Sequence, residues 1–145
     1  MYKHILIATD GSEIAGKAVS HGVDLAKAIG ATLSAVTVTE PLETIVEVET
    51  MGLIRASDYD KQCEESANKI LSSVTSAAQT AGIECNVSHE LNRRPYEGII
   101  EAAKKAGADL IVLGSHGRRG IEGLLIGSEA NKLLTHTKIP ALVVR

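Results

Sequence analysis

The chain has 145 residues and a formal net charge of −3 with no long run of one sign, which fits one domain and excludes a broad basic face for nonspecific nucleic-acid binding. Aromatic residues make up 2%, with three Tyr and neither Phe nor Trp, so the base-stacking platforms of single-strand-binding proteins are excluded as well. No apolar run approaches the ~20 residues that a membrane-spanning helix needs. We expect a single domain over residues 1–145 with an aliphatic core, no nucleic-acid partner and no membrane association.

The amino-terminal stretch and the cysteines indicate the compartment. The apolar run from His4 to Thr9 is too short for a signal peptide and is typical of a buried strand. Cys63 and Cys85 belong to no Cys-x-x-Cys pair and have no histidine at metal-ligand spacing. We therefore expect a cytoplasmic protein whose thiols stay reduced.

Short apolar runs alternate with longer stretches of helical period along the chain. Strands are predicted at residues 4–9, 32–38, 83–91, 108–113 and 139–144. Helices are predicted at residues 13–29, 59–81, 95–106 and 128–136, most of them bounded by glycine or proline. Residues 41–58 fit neither period and are predicted to be an irregular excursion that leaves room for some helix.

Strands that alternate with helices predict a parallel sheet covered by helices on both faces. Right-handed crossovers make this an α/β fold, a doubly wound five-stranded sheet of order 3-2-1-4-5 in a flavodoxin-like three-layer sandwich. Such sheets bind ligands at the carboxyl ends of their strands, near the point where the strand order reverses. Because Asp10, Val38 and Gly114 each follow or end a different predicted strand, we expect them to meet at that edge.

The segment from Gly114 to Ser128 carries the strongest functional pattern. Gly114 and Gly117 follow an apolar strand, and Gly127-Ser128 opens the last predicted helix. Ordered glycines cost conformational entropy, so they need a reason such as a positive φ or a close approach of the backbone to a ligand. Backbone amides after a strand and the positive end of a helix both favour phosphate. Neither the Walker spacing nor Gly-x-Gly-x-x-Gly is present, which separates this segment from the two common phosphate loops.

Four segments carry a family resemblance, residues 5–12, 108–117, 125–128 and 139–145. In these segments the chain resembles the universal stress proteins of the ATP-binding subclass, and the likeness spans nearly the whole chain, with the weakest match at 41–60. In that family the glycine spacing separates nucleotide-binding members from the others, and it is complete here. The resemblance therefore implies an ATP-binding protein with a regulatory role in the stress response.

The resemblance also implies a site and a partner. Asp10 would approach the ribose or a phosphate-bound Mg²⁺ or Mn²⁺, and Val38 would give adenine an apolar wall and backbone hydrogen bonds. The full implied set is Thr9, Asp10, Val38, Leu113, Gly114, His116, Gly117, Arg118, Gly127, Ser128 and Glu129. A homodimer joined through the last strand, 139–145, is implied too, and the regulatory partner is left open.

Several of these residues have a purely structural alternative. Asp10 or Ser128 could serve only as the N-cap of the helix that follows. His116 could face solvent in a loop, and Arg118 with its neighbouring arginine could be a solvated pair. Glu129 suits the dipole of a helix start, but it would repel phosphate unless it is turned away or bridged by a metal.

The residues outside the glycine segment do not predict catalysis. Hydrolysis of ATP needs a positioned water and stabilisation of the developing charge, and no general base with an orienting partner stands out. A ligand that shifts the protein between conformations needs only differential binding, so we expect ATP to act as a ligand or to be hydrolysed slowly. Two alternatives stay open, a genuine ATPase or phosphotransferase and a dimeric interaction module that binds no nucleotide.

Overall fold

The computed structural model describes residues 1–41, 56–117 and 126–145. These residues form five strands and four helices. In chain order the elements are β1 His4–Ala8, α1 Glu13–Ile29, β2 Thr32–Thr39, α2 Ala56–Thr80, β3 Cys85–Leu91, α3 Pro95–Ala106, β4 Leu110–Gly114, α4 Ser128–His136 and β5 Ala141–Val144. No helix in the described part of the chain is long and apolar enough to cross a membrane.

All five strands pair in parallel in one sheet of order β3-β2-β1-β4-β5, which confirms the predicted doubly wound α/β fold. The strand order reverses between β1 and β4. At the amino ends of these two strands the Asp109 carboxylate accepts hydrogen bonds from the backbone N–H groups of Lys3, at 2.9 Å, and His4, at 3.0 Å. These backbone donors hold the pKa of Asp109 below its usual value. The single-domain assignment for residues 1–145 stays a prediction.

The sheet buries an aliphatic core on each of its two faces. Ile5 and Ile7 of β1 pack with α1 and α2, whereas Leu6 and Ala8 pack with α3 and α4. Side chains alternate between the faces of a strand, so a strand covered on both sides must be apolar throughout. The central position of β1 therefore explains why its residues 5–8 are all apolar.

Three predicted strands begin two residues too early. Their observed first residues are Cys85, Leu110 and Ala141. The N–H of Ile83 donates to the carbonyl of Ala78 at 2.9 Å, and the N–H of Ala108 donates to Ala103 at 2.9 Å. These residues therefore still close the preceding helices. The N–H of Ile139 is likewise held by the Thr137 hydroxyl at 3.0 Å.

Three other details of the prediction change. α2 begins at Ala56, within the segment predicted to be irregular, and the remainder of that segment, 42–55, lies outside the described residues. The sequence of residues 83–91 alternates between apolar and polar residues, as in a half-exposed strand, but Val87 and Leu91 of β3 are 43% and 64% exposed at an edge of the described sheet. Ile29 lies on the apolar face of the helical pattern of residues 13–29, yet it is 42% exposed because it ends α1.

Gly22 lets α1 lie close to the centre of the sheet. A Cβ built at Gly22 would lie 2.6 Å from Cδ1 and 2.7 Å from Cγ1 of Ile7, which is fully buried. We expect Gly22→Ala to lower the free energy of unfolding by about 1 kcal/mol, because an overpacking cost of about 1–3 kcal/mol exceeds the gain in helix propensity. Gly16→Ala on the exposed side of the same helix meets nothing within 4 Å and should raise it by about 0.5–1 kcal/mol. Urea unfolding measures both, and equal stability of the two variants would contradict this packing.

Candidate functional site

A cleft of about 620 Å³ lies at the carboxyl edge of the sheet, where β1, β2 and β4 end. This volume is within the range of small-molecule sites. Of the eleven residues predicted to form the site, ten line this cleft: Thr9, Asp10, Val38, Leu113, Gly114, His116, Gly117, Gly127, Ser128 and Glu129. Arg118 lies outside the described residues. The predicted residues are thus brought together, while their roles toward a ligand stay predictions.

The turn after β1 places Asp10 beside the glycine loop. Gly11 has a φ of 77°, and the Asp10 Oδ1 atom accepts a hydrogen bond from the N–H of Ser12 at 2.9 Å. The N-cap of α1 is Ser12, whose hydroxyl accepts from the N–H of Ala15 at 3.2 Å. The alternative that Asp10 caps α1 is therefore wrong. A Cβ at Gly117 would lie 3.0 Å from Oδ2 of Asp10, so the two segments are neighbours across the cleft.

β2 continues past the end of β1 and leaves a backbone donor and acceptor at the cleft. The N–H of Thr9 donates to Val36 at 3.0 Å, and the N–H of Asn92 donates to Thr39 at 3.1 Å. Even-numbered residues of β2 therefore direct their backbone groups toward β1, and odd-numbered ones toward β3. Val38 lies two residues beyond Val36, the last residue of β2 that pairs with β1, so its N–H and C=O face the space that β1 leaves. An adjacent donor and acceptor can bind the edge of a flat heterocycle.

The glycines of this segment pack closely against other parts of the protein. None of Gly114, Gly117 and Gly127 has a positive φ, so that explanation for them is wrong. A Cβ at Gly114 would lie 2.8 Å from Cγ2 of Ile14, and one at Gly127 would lie 3.0 Å from the carbonyl oxygen of Ser115. The N–H of Gly127 donates to that same oxygen at 2.6 Å. This contact ties the start of α4 to the residue that follows β4.

No side chain among the described residues caps the start of α4. Gly127 is the N-cap, with φ −69° and ψ 163°, and it offers no side chain to the first turn. Ser128 is the first helical residue and is exposed at the cleft, so the alternative that it is the N-cap is wrong. Uncapped amides and the positive end of the helix dipole together favour an anion at this position.

His116 is partly buried in the wall of the cleft. Its Nδ1 atom lies 3.0 Å from the hydroxyl of Ser115, which is itself buried. Its Nε2 atom is buried and has no hydrogen-bond partner among the described residues. The solvent-facing alternative for this histidine is therefore wrong. A buried ring nitrogen without a protein partner calls for an explanation, and a ligand in the cleft would supply one.

The Glu129 carboxylate has two partners, one on α3 and one on α4. Its Oε2 atom accepts a hydrogen bond from the N–H of Tyr96 at 3.1 Å, and its Oε1 atom lies 3.3 Å from the ammonium of Lys132. The carboxylate therefore connects the first turn of α4 to the first turn of α3. It remains a cleft residue, directly after Ser128.

One wall of the cleft was not predicted from the sequence. It is formed by residues of α2, namely Tyr59, Gln62, Cys63, Ser66, Ala67 and Ile70. The Tyr59 hydroxyl donates to the carbonyl of Glu40 at 3.0 Å and so fastens α2 to the end of β2. Burial, followed by hydrogen bonding with Cys63, raises the pKa of Tyr59 to about 12. Small and polar residues at spacings of three, four and seven along this helix were the available signal.

The described residues contain no group of three His, Cys, Asp or Glu side chains arranged to hold a metal ion. The role of Asp10 toward a metal carried by a nucleotide stays a prediction. Both cysteines are free thiols.

The chain is similar to known proteins along its whole length. The sequence profile of the universal stress protein family matches residues 1–145. Universal stress protein MJ0531 of Methanocaldococcus jannaschii is 31% identical over 148 residues, covering 100% of this chain and 83% of that protein. The solved structure of protein MJ0577 is similar with a TM-score of 0.78 at 28% identity, covering 99% of this chain and 96% of that one. A universal stress protein solved in complex with cAMP shares the fold, with a TM-score of 0.71 at 24% identity over 99% of this chain and 97% of its own. The chain belongs to the universal stress protein family.

Proposed function

We propose that this protein binds an adenine nucleotide, ATP in the first place, and acts in the cytoplasm as a nucleotide-dependent regulator of the stress response. The observation that carries the proposal is the meeting of the ends of β1, β2 and β4 with the start of α4 in one cleft of about 620 Å³. Membership of the universal stress protein family supports the regulatory role. The neighbour with cAMP is an example of this fold with an adenine nucleotide bound.

The end of β2 is suited to the base. Adenine presents an acceptor, N1, beside a donor, its N6 amino group, and Val38 presents an N–H beside a C=O on the side where β1 has ended. Ile70 of α2 and Ile99 of α3 supply apolar surface to the same cleft. Adenine is flat and apolar on its faces, so it suits the part of the cleft lined by Ile70 and Ile99, with its polar edge toward the backbone of Val38.

The start of α4 is suited to the phosphates. The uncapped amides after Gly127 and the exposed Ser128 can donate to phosphate oxygens without a lysine. His116 lines the same cleft, and its buried Nε2 atom has no hydrogen-bond partner among the described residues. Asp10, whose carboxylate lies beside Gly117, would approach the ribose or a phosphate-bound Mg²⁺ or Mn²⁺. ATP then serves as a ligand that is hydrolysed slowly or not at all.

The two cysteines give a direct test of occupancy. Cys63 lines the cleft wall, whereas Cys85 packs against the core in β3, where burial raises its pKa to about 11 and keeps it slow to react. At pH 8 we expect ATP with Mg²⁺, at ten times its Kd, to slow maleimide alkylation of Cys63 about tenfold, since only the free fraction reacts. The rate at Cys85 should not change, and peptide mass spectrometry reads both sites in one sample.

Two controls sharpen this test. Cys85→Ser removes the second thiol and should leave the protection of Cys63 unchanged. Inorganic triphosphate, which has no base, should protect Cys63 far less than ATP, because Cys63 neighbours Tyr59, whose hydroxyl donates to Glu40 just past the end of β2. Undiminished alkylation of Cys63 at saturating ATP, with no heat of binding in calorimetry, would remove the proposed function.

We also propose that the protein forms a homodimer through its last strand, residues 139–145. Within the described part of the chain, β5 is an edge strand that pairs only with β4, and its Leu142 side chain is 38% exposed. An unpaired edge with an exposed apolar residue is a template for pairing with another chain. A second copy that covers β5 would bury Leu142 and satisfy the free backbone groups of the edge.

Sedimentation equilibrium tests the dimer. We expect Leu142→Glu to raise the dimer dissociation constant by at least about tenfold, because the charge would be buried at the interface. Leu91→Glu on β3, the opposite edge, changes a residue that is 64% exposed and should leave the dimer intact. A monomeric wild-type protein, or a dimer that only Leu91→Glu disrupts, would contradict the assignment to β5.

A further inference from the structure

The first turn of α3 donates a hydrogen bond to a side chain of another helix. Pro95 has no N–H, and the N–H groups of the two residues after Tyr96 both donate to the carbonyl of Arg94, at 3.0 and 3.2 Å. The N-cap Arg94 makes no side-chain cap bond. The N–H of Tyr96 is instead satisfied by Oε2 of Glu129 at 3.1 Å. Glu129 therefore caps α3 from the first turn of α4.

This arrangement fixes a negative charge between two helix N-termini at the cleft. Glu129 directly follows Ser128, and Pro95 at the start of α3 lines the same cleft. The positive ends of both helix dipoles stabilise the carboxylate. The carboxylate in turn lowers the positive electrostatic potential that a phosphate would meet there. Lys132 pairs with Glu129 at 3.3 Å, but its side chain is 53% exposed, so solvent and salt weaken its compensation.

We propose that Glu129 is a specificity-determining residue that limits the phosphate charge the cleft accepts, an inference that rests on the proposed function. A fixed carboxylate beside Ser128 opposes each further negative charge on the ligand, and the penalty grows with that charge. Adenosine carries no phosphate charge, AMP carries a small one and ATP carries the largest. The cleft consequently favours adenine nucleotides of low phosphate charge, or ATP whose charge is reduced by a divalent cation.

A matched pair of variants separates the charge of Glu129 from its role as a cap. Glu129→Gln keeps the size of the side chain and an oxygen that accepts from Tyr96, but removes the charge. Glu129→Ala removes both. If Glu129 only held α3 and α4 together, Glu129→Gln would bind every ligand as the wild type does, and Glu129→Ala would weaken all ligands by the same factor.

The experiment is calorimetric titration of the wild type and Glu129→Gln with adenosine, AMP and ATP, at low salt and without divalent cations. We expect Glu129→Gln to bind ATP about five- to tenfold more tightly than the wild type, AMP about twofold more tightly and adenosine equally well. The advantage for ATP should shrink at high salt, where the charges are screened, and when Mg²⁺ is added.

Two results would overturn the inference, and they differ from failure of the proposed function. An equal change for adenosine, AMP and ATP, or weaker ATP binding by Glu129→Gln, means that Glu129 is only a structural tie. If neither protein binds any of the three ligands, the proposed function itself fails. Thermal unfolding of Glu129→Ala checks the cap, because its loss should lower the melting temperature more than Glu129→Gln does.

Discussion

The candidate site depends on the unequal lengths of two paired parallel strands. β1 stops at Ala8, opposite Val36, whereas β2 continues to Thr39. The cleft therefore opens beyond the end of β1, where the N–H and C=O of Val38 face the space that β1 leaves. The strand order reverses between β1 and β4, and ligands of doubly wound sheets bind at such a point. The sheet topology thus positions the cleft before any side chain is considered.

The glycine segment adds rigidity to that opening. Gly114 lets the start of α1 approach β4, and Gly127 docks on the carbonyl of Ser115, so the end of β4 and the start of α4 are held together. Glu129 extends this connection to α3 through Tyr96. The amides at the start of α4 are thus fixed in place before a ligand arrives, which reduces the entropy lost on binding.

The sheet order and most of the cleft were predictable because apolar period, helix-ending glycines and strand-ending polar residues are local signals. The first residues of the strands were less predictable, because Ile83 and Ala108 are apolar residues whose N–H groups still donate to carbonyls of the preceding helix. The sequence did not predict the cleft wall formed by α2. Tyr59, Cys63 and Ser66 become cleft residues only because the fold brings α2 next to the end of β2. The sequence could not explain why Gly114 and Gly127 are glycines, because their close contacts involve Ile14 and Ser115, which the spacing of the glycines does not reveal.

The central claim is that Val38 and the start of α4 bind the two ends of one adenine nucleotide. A crystal structure of the protein with ATP tests it most directly. Adenine N6 and N1 should lie about 3 Å from the carbonyl oxygen and the nitrogen of Val38, with phosphate oxygens on the amides that follow Gly127. A nucleotide bound elsewhere, or an adenine that leaves the backbone of Val38 unengaged, would contradict the claim.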